Sequence, residues 1–75
     1  MSLQEIVARN LRDIRARKKL AQREVAKRAG ASMSYISLLE RGQRSPPLET
    51  LETLARALGV KPLLLLEPGD ARRNR

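Results

Sequence analysis

Apolar residues recur at intervals of three and four along most of this 75-residue chain, and nowhere do they alternate in the two-residue rhythm of a strand. That spacing confines the chain to helices, so the expected fold class is all-α, with five helical segments. At about 100° per residue, Leu3, Ile6, Val7, Leu11 and Ile14 share an arc of about 140°, with Arg9 and Arg12 opposite. A first helix is therefore predicted from Leu3 to about Lys18. Met1, Ser2 and Leu3 carry no weight in this reading, since a start of this kind can derive from a vector. Arg15 falls at the edge of the apolar stripe, where its stem can be half buried while its guanidinium seeks a carboxylate.

The segment from Gln22 to Arg41 is the most informative. Val25, Ala26 and Ala29 give a short second helix a narrow apolar face; Gly30 follows, then Ser32 as an expected N-cap, then Ile36 and Leu39 on one side of a third helix. Two helices crossing steeply over a turn of three or four residues need a small side chain at the crossing and a positive φ in the turn. Ala26 and Gly30 supply them. Pro46-Pro47 then sets an extended approach to a fourth helix, in which Leu48, Leu51, Leu54, Ala55 and Leu58 line an arc of about 120°. Gly59 ends it, and Pro62 opens a fifth helix through about Leu66. Leu63 to Leu66 are four consecutive leucines that cannot all face one core, so some must be exposed.

Charge divides the chain unevenly. Of a net +8, residues 1–47 hold 11 basic and 4 acidic side chains, and residues 48–75 hold 5 and 4. A basic half joined to a near-neutral half suits one face for a polyanion and another for packing or partners. With no Cys, no His and no clustered carboxylates, zinc-finger and Cys- or His-based catalytic readings are closed, and neither a cofactor nor an enzymatic activity is expected. No apolar run approaches the ~20 residues of a membrane span, and no signal-peptide segment opens the chain. The expected location is the cytoplasm, in association with the nucleoid.

Gln22, Val25, Ala26, Ala29, Gly30, Ser32, Ile36, Leu39, Glu40 and Gly42 together resemble the Cro/CI-type, or xenobiotic-response-element, helix-turn-helix family. Leu48, Leu51, Leu54, Ala55, Leu58, Gly59 and Val60 are similar to that family's fourth helix and the turn after it, so the resemblance covers roughly residues 3–66. It implies a five-helix lambda-repressor-like DNA-binding domain whose third helix enters the major groove. It also implies a pair between Glu40 and Arg15 that braces the third helix against the first. The sequence departs from the family at Met33 and Leu38, where Gln, Arg or Asn is usual, at Lys19, which stands in place of a Gly, and at Ala21, which stands in place of a Ser or Thr N-cap. Leu63 and Leu64 replace residues that are usually polar, which makes them candidate homodimer contacts.

Independently of the resemblance, helical geometry points Met33, Ser34, Ser37, Leu38 and Arg41 away from the core. Met33, Ser34, Ser37 and Leu38 are the expected base-reading residues: the hydroxyls can meet several base edges, and the two apolar side chains suit a thymine methyl group. Gln22 at the start of the second helix, Arg23, Tyr35, Arg41, Gln43 and Arg44 are the expected phosphate contacts. For Tyr35 a half-buried packing role is an equal alternative. The charge run Arg15, Arg17, Lys18 and Lys19 is assigned to long-range steering. The expected function is a transcriptional regulator, a repressor binding a two-fold-symmetric operator in double-stranded DNA as a homodimer. Two alternatives stay open: a restriction-modification controller protein, and an antitoxin-type module with a protein partner such as a toxin or polymerase. Residues 67–75 are expected to form a disordered basic tail beyond a domain spanning residues 1–66.

Overall fold

The computed structural model describes residues 2–69. They form four α-helices, α1 (Leu3–Arg17), α2 (Gln22–Ala29), α3 (Met33–Glu40) and α4 (Leu48–Leu58), followed by a 3-10 helix (Pro62–Leu66). No strand occurs among the described residues. The tail expected to be disordered lies, from residue 70 onward, outside the described residues. No helix of the described residues is long and apolar enough to cross a membrane.

One core joins all five elements: Val7, Leu11 and Ile14 of α1, Val25 and Ala26 of α2, Ile36 and Leu39 of α3, the inner leucines of α4, and Leu65. Leu3 and Leu48, expected on apolar arcs, are instead 61% and 78% exposed. Each opens its helix, one turn beyond the core that its stripe otherwise faces. The segment Pro62–Leu66, expected as a fifth helix, winds as a 3-10 helix, the tighter form used in short pieces of this kind. Of its leucines, Leu65 is fully buried, Leu64 and Leu66 pack partly on the core, and Leu63 is 72% exposed.

A buried polar residue fastens this segment. Asn10 has no exposed surface, and its Nδ2 donates to the carbonyls of Leu65 and Glu67 at 2.8 and 2.7 Å, with Leu64 at 3.3 Å. The carbonyls of Leu65 in the last turn and of Glu67 just beyond it thus find a donor on α1.

The helix ends follow from local chemistry. Ser2 caps α1 in a reciprocal arrangement with Glu5, and these hydrogen bonds from the Ser2 backbone and hydroxyl hold the Glu5 carboxyl below its usual range. Ser32 Oγ accepts from the Tyr35 N–H at 3.0 Å at the start of α3, whereas Ala21 offers α2 no side-chain cap. Gly30 closes α2 at φ 67°, and a Cβ there would meet nothing within 4 Å, so what glycine supplies is the backbone angle alone.

Lys19 adopts the same left-handed conformation, at φ 57°, after α1. The Leu20 N–H closes the turn onto the Arg15 carbonyl at 3.0 Å, as the Ala31 N–H closes α2 onto Ala26 at 2.9 Å. A side chain at such an angle costs about 1 kcal/mol that glycine does not incur. Lys19→Gly is thus expected to raise stability by about 1 kcal/mol in equilibrium denaturation, and an unchanged or lowered midpoint would show that the lysine side chain has a compensating contact.

Candidate nucleic-acid interface

The outer side of α3 takes no part in the core. Met33, Ser34, Ser37, Leu38 and Arg41 share with Gln22 a single shallow depression of about 320 Å³. All four residues expected to read bases are therefore brought together, with two of the expected phosphate contacts at the margin. Met33 is 48% exposed and Ser34 exposed, while Ser37 and Leu38 are half-buried. Arg23, next to Gln22 in α2, and Gln43 and Arg44, in the loop after α3, are exposed. Tyr35 stands apart: its ring packs partly on the core, and it lines a different depression with Gly30, Glu49, Thr50 and Thr53.

What fixes α3 is a set of polar contacts from α1. Arg15 grips the Glu40 carboxylate with two hydrogen bonds, Nε to Oε2 at 2.7 Å and Nη2 to Oε1 at 3.0 Å, and its Nη1 donates to the Leu20 carbonyl at 2.9 Å. Arg12 Nη1 donates to the Glu40 carbonyl at 2.9 Å. The negative charge of Glu40 and the negative end of the helix dipole coincide here, and two guanidinium groups face them. Farther along, Gln4 Nε2 donates to the Gly42 carbonyl at 2.6 Å and its Oε1 accepts from the Ser45 hydroxyl. This pins the loop that carries Gln43 and Arg44.

Gln22 belongs to the same network, since its Nε2 donates to Glu40 Oε1 at 3.0 Å. An amide nitrogen has two protons, and the second is left to donate outward. Sequence reasoning missed the roles of Gln4 and Arg12. Arg12 lies opposite the apolar stripe on a helical wheel, and only its length lets it reach around to α3.

Arg15 and Glu40 respond differently to removal of the partner. The Glu40 side chain is 4% exposed and that of Arg15 22%, so a lone guanidinium can turn to water while a lone carboxylate stays buried with Gln22 as its donor. Arg15→Ala is expected to lower stability by about 3–5 kcal/mol and Glu40→Ala by clearly less. Chemical unfolding of both variants checks this; equal midpoints for the variants and the parent would show that the pair does not brace α3.

A turn between two short helices, the second fastened from behind with its outer side left out of the core, also recurs in known proteins. The helix-turn-helix family model matches residues 11–65. The chain is 44% identical over 70 residues to the uncharacterized HTH-type transcriptional regulator y4dJ of Sinorhizobium fredii, covering 93% of this chain and 91% of that protein. Two longer relatives match as well, one of them the immunity repressor of Bacillus phage phi105, and the chain spans 38% and 31% of their lengths. Among solved structures, the hypothetical transcription factor NHTF from Neisseria superposes with a TM-score of 0.91 at 34% identity, covering 97% of this chain and 84% of that one. The restriction-modification controller protein C.Esp1396I, solved as a tetramer with its natural 35 base-pair operator, superposes with a TM-score of 0.80 at 26% identity, covering 87% and 86%. The chain belongs to the helix-turn-helix family of transcriptional regulators.

Proposed function

We propose that this regulator is a repressor that binds double-stranded DNA as a homodimer, with the outer side of α3 in the major groove of each half of a two-fold-symmetric operator. The observation that carries the reading is the depression uniting Gln22, Met33, Ser34, Ser37, Leu38 and Arg41 on the outer side of α3. An α-helix fits the major groove, and its amino-terminal side chains reach base edges. Met33, Ser34, Ser37 and Leu38 are assigned to the bases, and Gln22, Arg23, Arg41, Gln43 and Arg44 to the phosphates on either side. Tyr35 is assigned to packing. A dimer seated across the groove would repress by occupying DNA that polymerase needs. The operator-bound tetramer of C.Esp1396I supports this docking by analogy.

The dimer contact is assigned to the surface around Leu63. Leu63 and Leu64 line, with Val60 and Lys61, a largely apolar depression of about 400 Å³. A single module of this size binds a few base pairs weakly, and two-fold pairing doubles the contact. Half-site centres are then expected about 34 Å apart.

Titration of labelled protein with duplex DNA in dilute buffer is expected to shift the amide signals of Gln22 to Arg41 first; signals there that stay unmoved would overturn the reading. Arg44→Ala is expected to weaken binding to every duplex and to lower the slope of log affinity against log salt by about 1. Ser34→Ala should alter the ranking of sites while leaving that slope unchanged, and identical behaviour of the two variants would contradict the partition. For the dimer, Leu63→Lys should sediment as a monomer with the parent's far-ultraviolet spectrum, because Leu63 is 72% exposed, and with a thermal midpoint that no longer rises with protein concentration. A parent chain that is monomeric both free and on DNA would exclude this contact.

A further inference from the structure

We propose that the outer side of α3 reads the C5-methyl groups of pyrimidines, so that 5-methylcytosine is accepted where thymine is, and uracil and cytosine are both discriminated against. The inference rests on the DNA-binding reading above and specifies what that site takes from the bases.

The residues at the centre of the face leave few other ways to read sequence. Guanine and adenine are ordinarily identified by a guanidinium or an amide that makes two hydrogen bonds to one base edge. From Met33 to Glu40, α3 contains neither Arg, Lys, Asn nor Gln. The two side chains of that kind bordering the depression are assigned above to phosphates, and each is partly committed within the protein: Gln22 Nε2 gives one proton to Glu40, and Arg41 Nε lies 3.4 Å from the Ser37 carbonyl. What remains toward the groove floor is Met33 and Leu38 with Ser34 and Ser37 between them.

Apolar side chains placed against base edges lose nothing only where the edge is also apolar. In the major groove the pyrimidine C5-methyl group is that edge, and it is present on thymine and on 5-methylcytosine alike. The two bases differ beside it, thymine offering an O4 acceptor and cytosine an N4 donor. A serine hydroxyl both donates and accepts, so Ser34 and Ser37 can meet either group from one position. The face is therefore tolerant of the hydrogen-bonding edge and selective for the methyl. Charge complementarity supplies the occupant: 11 of the 16 basic side chains lie in residues 1–47, Arg41 lines the depression, and Arg23 and Arg44 are exposed one and three residues from its lining residues Gln22 and Arg41.

Met33 and Leu38 are five positions apart, about 7.5 Å along the helix axis, which corresponds to about two base-pair steps. Two methyl-sensitive positions about two base pairs apart are expected in each half-site.

The test uses the full chain and the duplex it selects from a random pool. Each thymine pair of that duplex is replaced in turn by uracil with adenine, 5-methylcytosine with guanine, and cytosine with guanine, and affinities are measured at fixed salt. At the contacted positions thymine and 5-methylcytosine should bind alike, and uracil and cytosine about fourfold more weakly, the effect of one methyl-sized group left unburied. Met33→Ala should erase the difference at one position and Leu38→Ala at the other, with far-ultraviolet spectra matching the parent. Affinities that follow the base pair instead, thymine with uracil and 5-methylcytosine with cytosine, would overturn the inference and leave the DNA-binding reading intact. So would methyl effects that persist unchanged in both variants. Recovery of no preferred duplex would remove both.

Discussion

A buried carboxylate at the end of α3 is the constraint on which the arrangement of the site depends. Glu40 sits where the backbone dipole is already negative, and burial there is tolerable only because Arg15 and Arg12 approach from α1 and the Gln22 amide from α2. Such a network adds little net stability compared with a well-packed apolar substitute. Its consequence is geometric. Apolar contacts at Ile36 and Leu39 hold α3 on the core but allow it to slide or roll, whereas a two-pronged guanidinium contact and a bond to the last carbonyl fix both its rotation and its axial position.

The turns complete that placement. Gly30 lets the chain reverse within three residues between α2 and α3, and the closure of the Ala31 N–H onto Ala26 sets how near the two helices lie. At the other end, Gly42 has φ 72°, and its carbonyl accepts from Gln4. Three α1 side chains, Gln4, Arg12 and Arg15, therefore hold the carboxyl-terminal end of α3 and the loop beyond it. α1 thus acts as the brace of the site although it contributes nothing to its surface.

The sequence conveyed the elements and their inward faces because helical periodicity is a local property, repeated over two or more turns in α1 and α4. Its failures have specific causes. Leu3 and Leu48 satisfy the period but lie in opening turns, and a wheel contains no information about where a core ends. Asn10 occupies an inward position, four residues from both Ile6 and Ile14, and that misplaced polarity was a detectable signal of a buried hydrogen-bond donor. The carbonyls it serves belong to residues more than fifty positions away, which no local pattern encodes. Pro62–Leu66 is too short for period to separate an α-helix from a 3-10 helix. Met33, Ser34, Ser37 and Leu38 were legible as one outward group because eight residues of helix leave little freedom in azimuth. That Gln22 joins them while bonded to Glu40 depends on the crossing of α2 and α3, which geometry in three dimensions alone defines.

These contacts divide the duties of α3 between its two sides. Ile36, Leu39 and Glu40 carry its attachment, and none of them faces the depression. The helix has no basic residue, and its one charge is compensated by Arg15, so it offers a polyanion no attraction of its own. In the proposed reading, attraction comes from cations on neighbouring segments, at Arg23, Arg41 and Arg44, and acts on any phosphate backbone within about a Debye length. Affinity and selectivity therefore reside in different residues of the proposed interface. Met33 and Ser34 are exposed and lie outside the core, so a side chain as unusual there as Met33 is compatible with an otherwise ordinary framework.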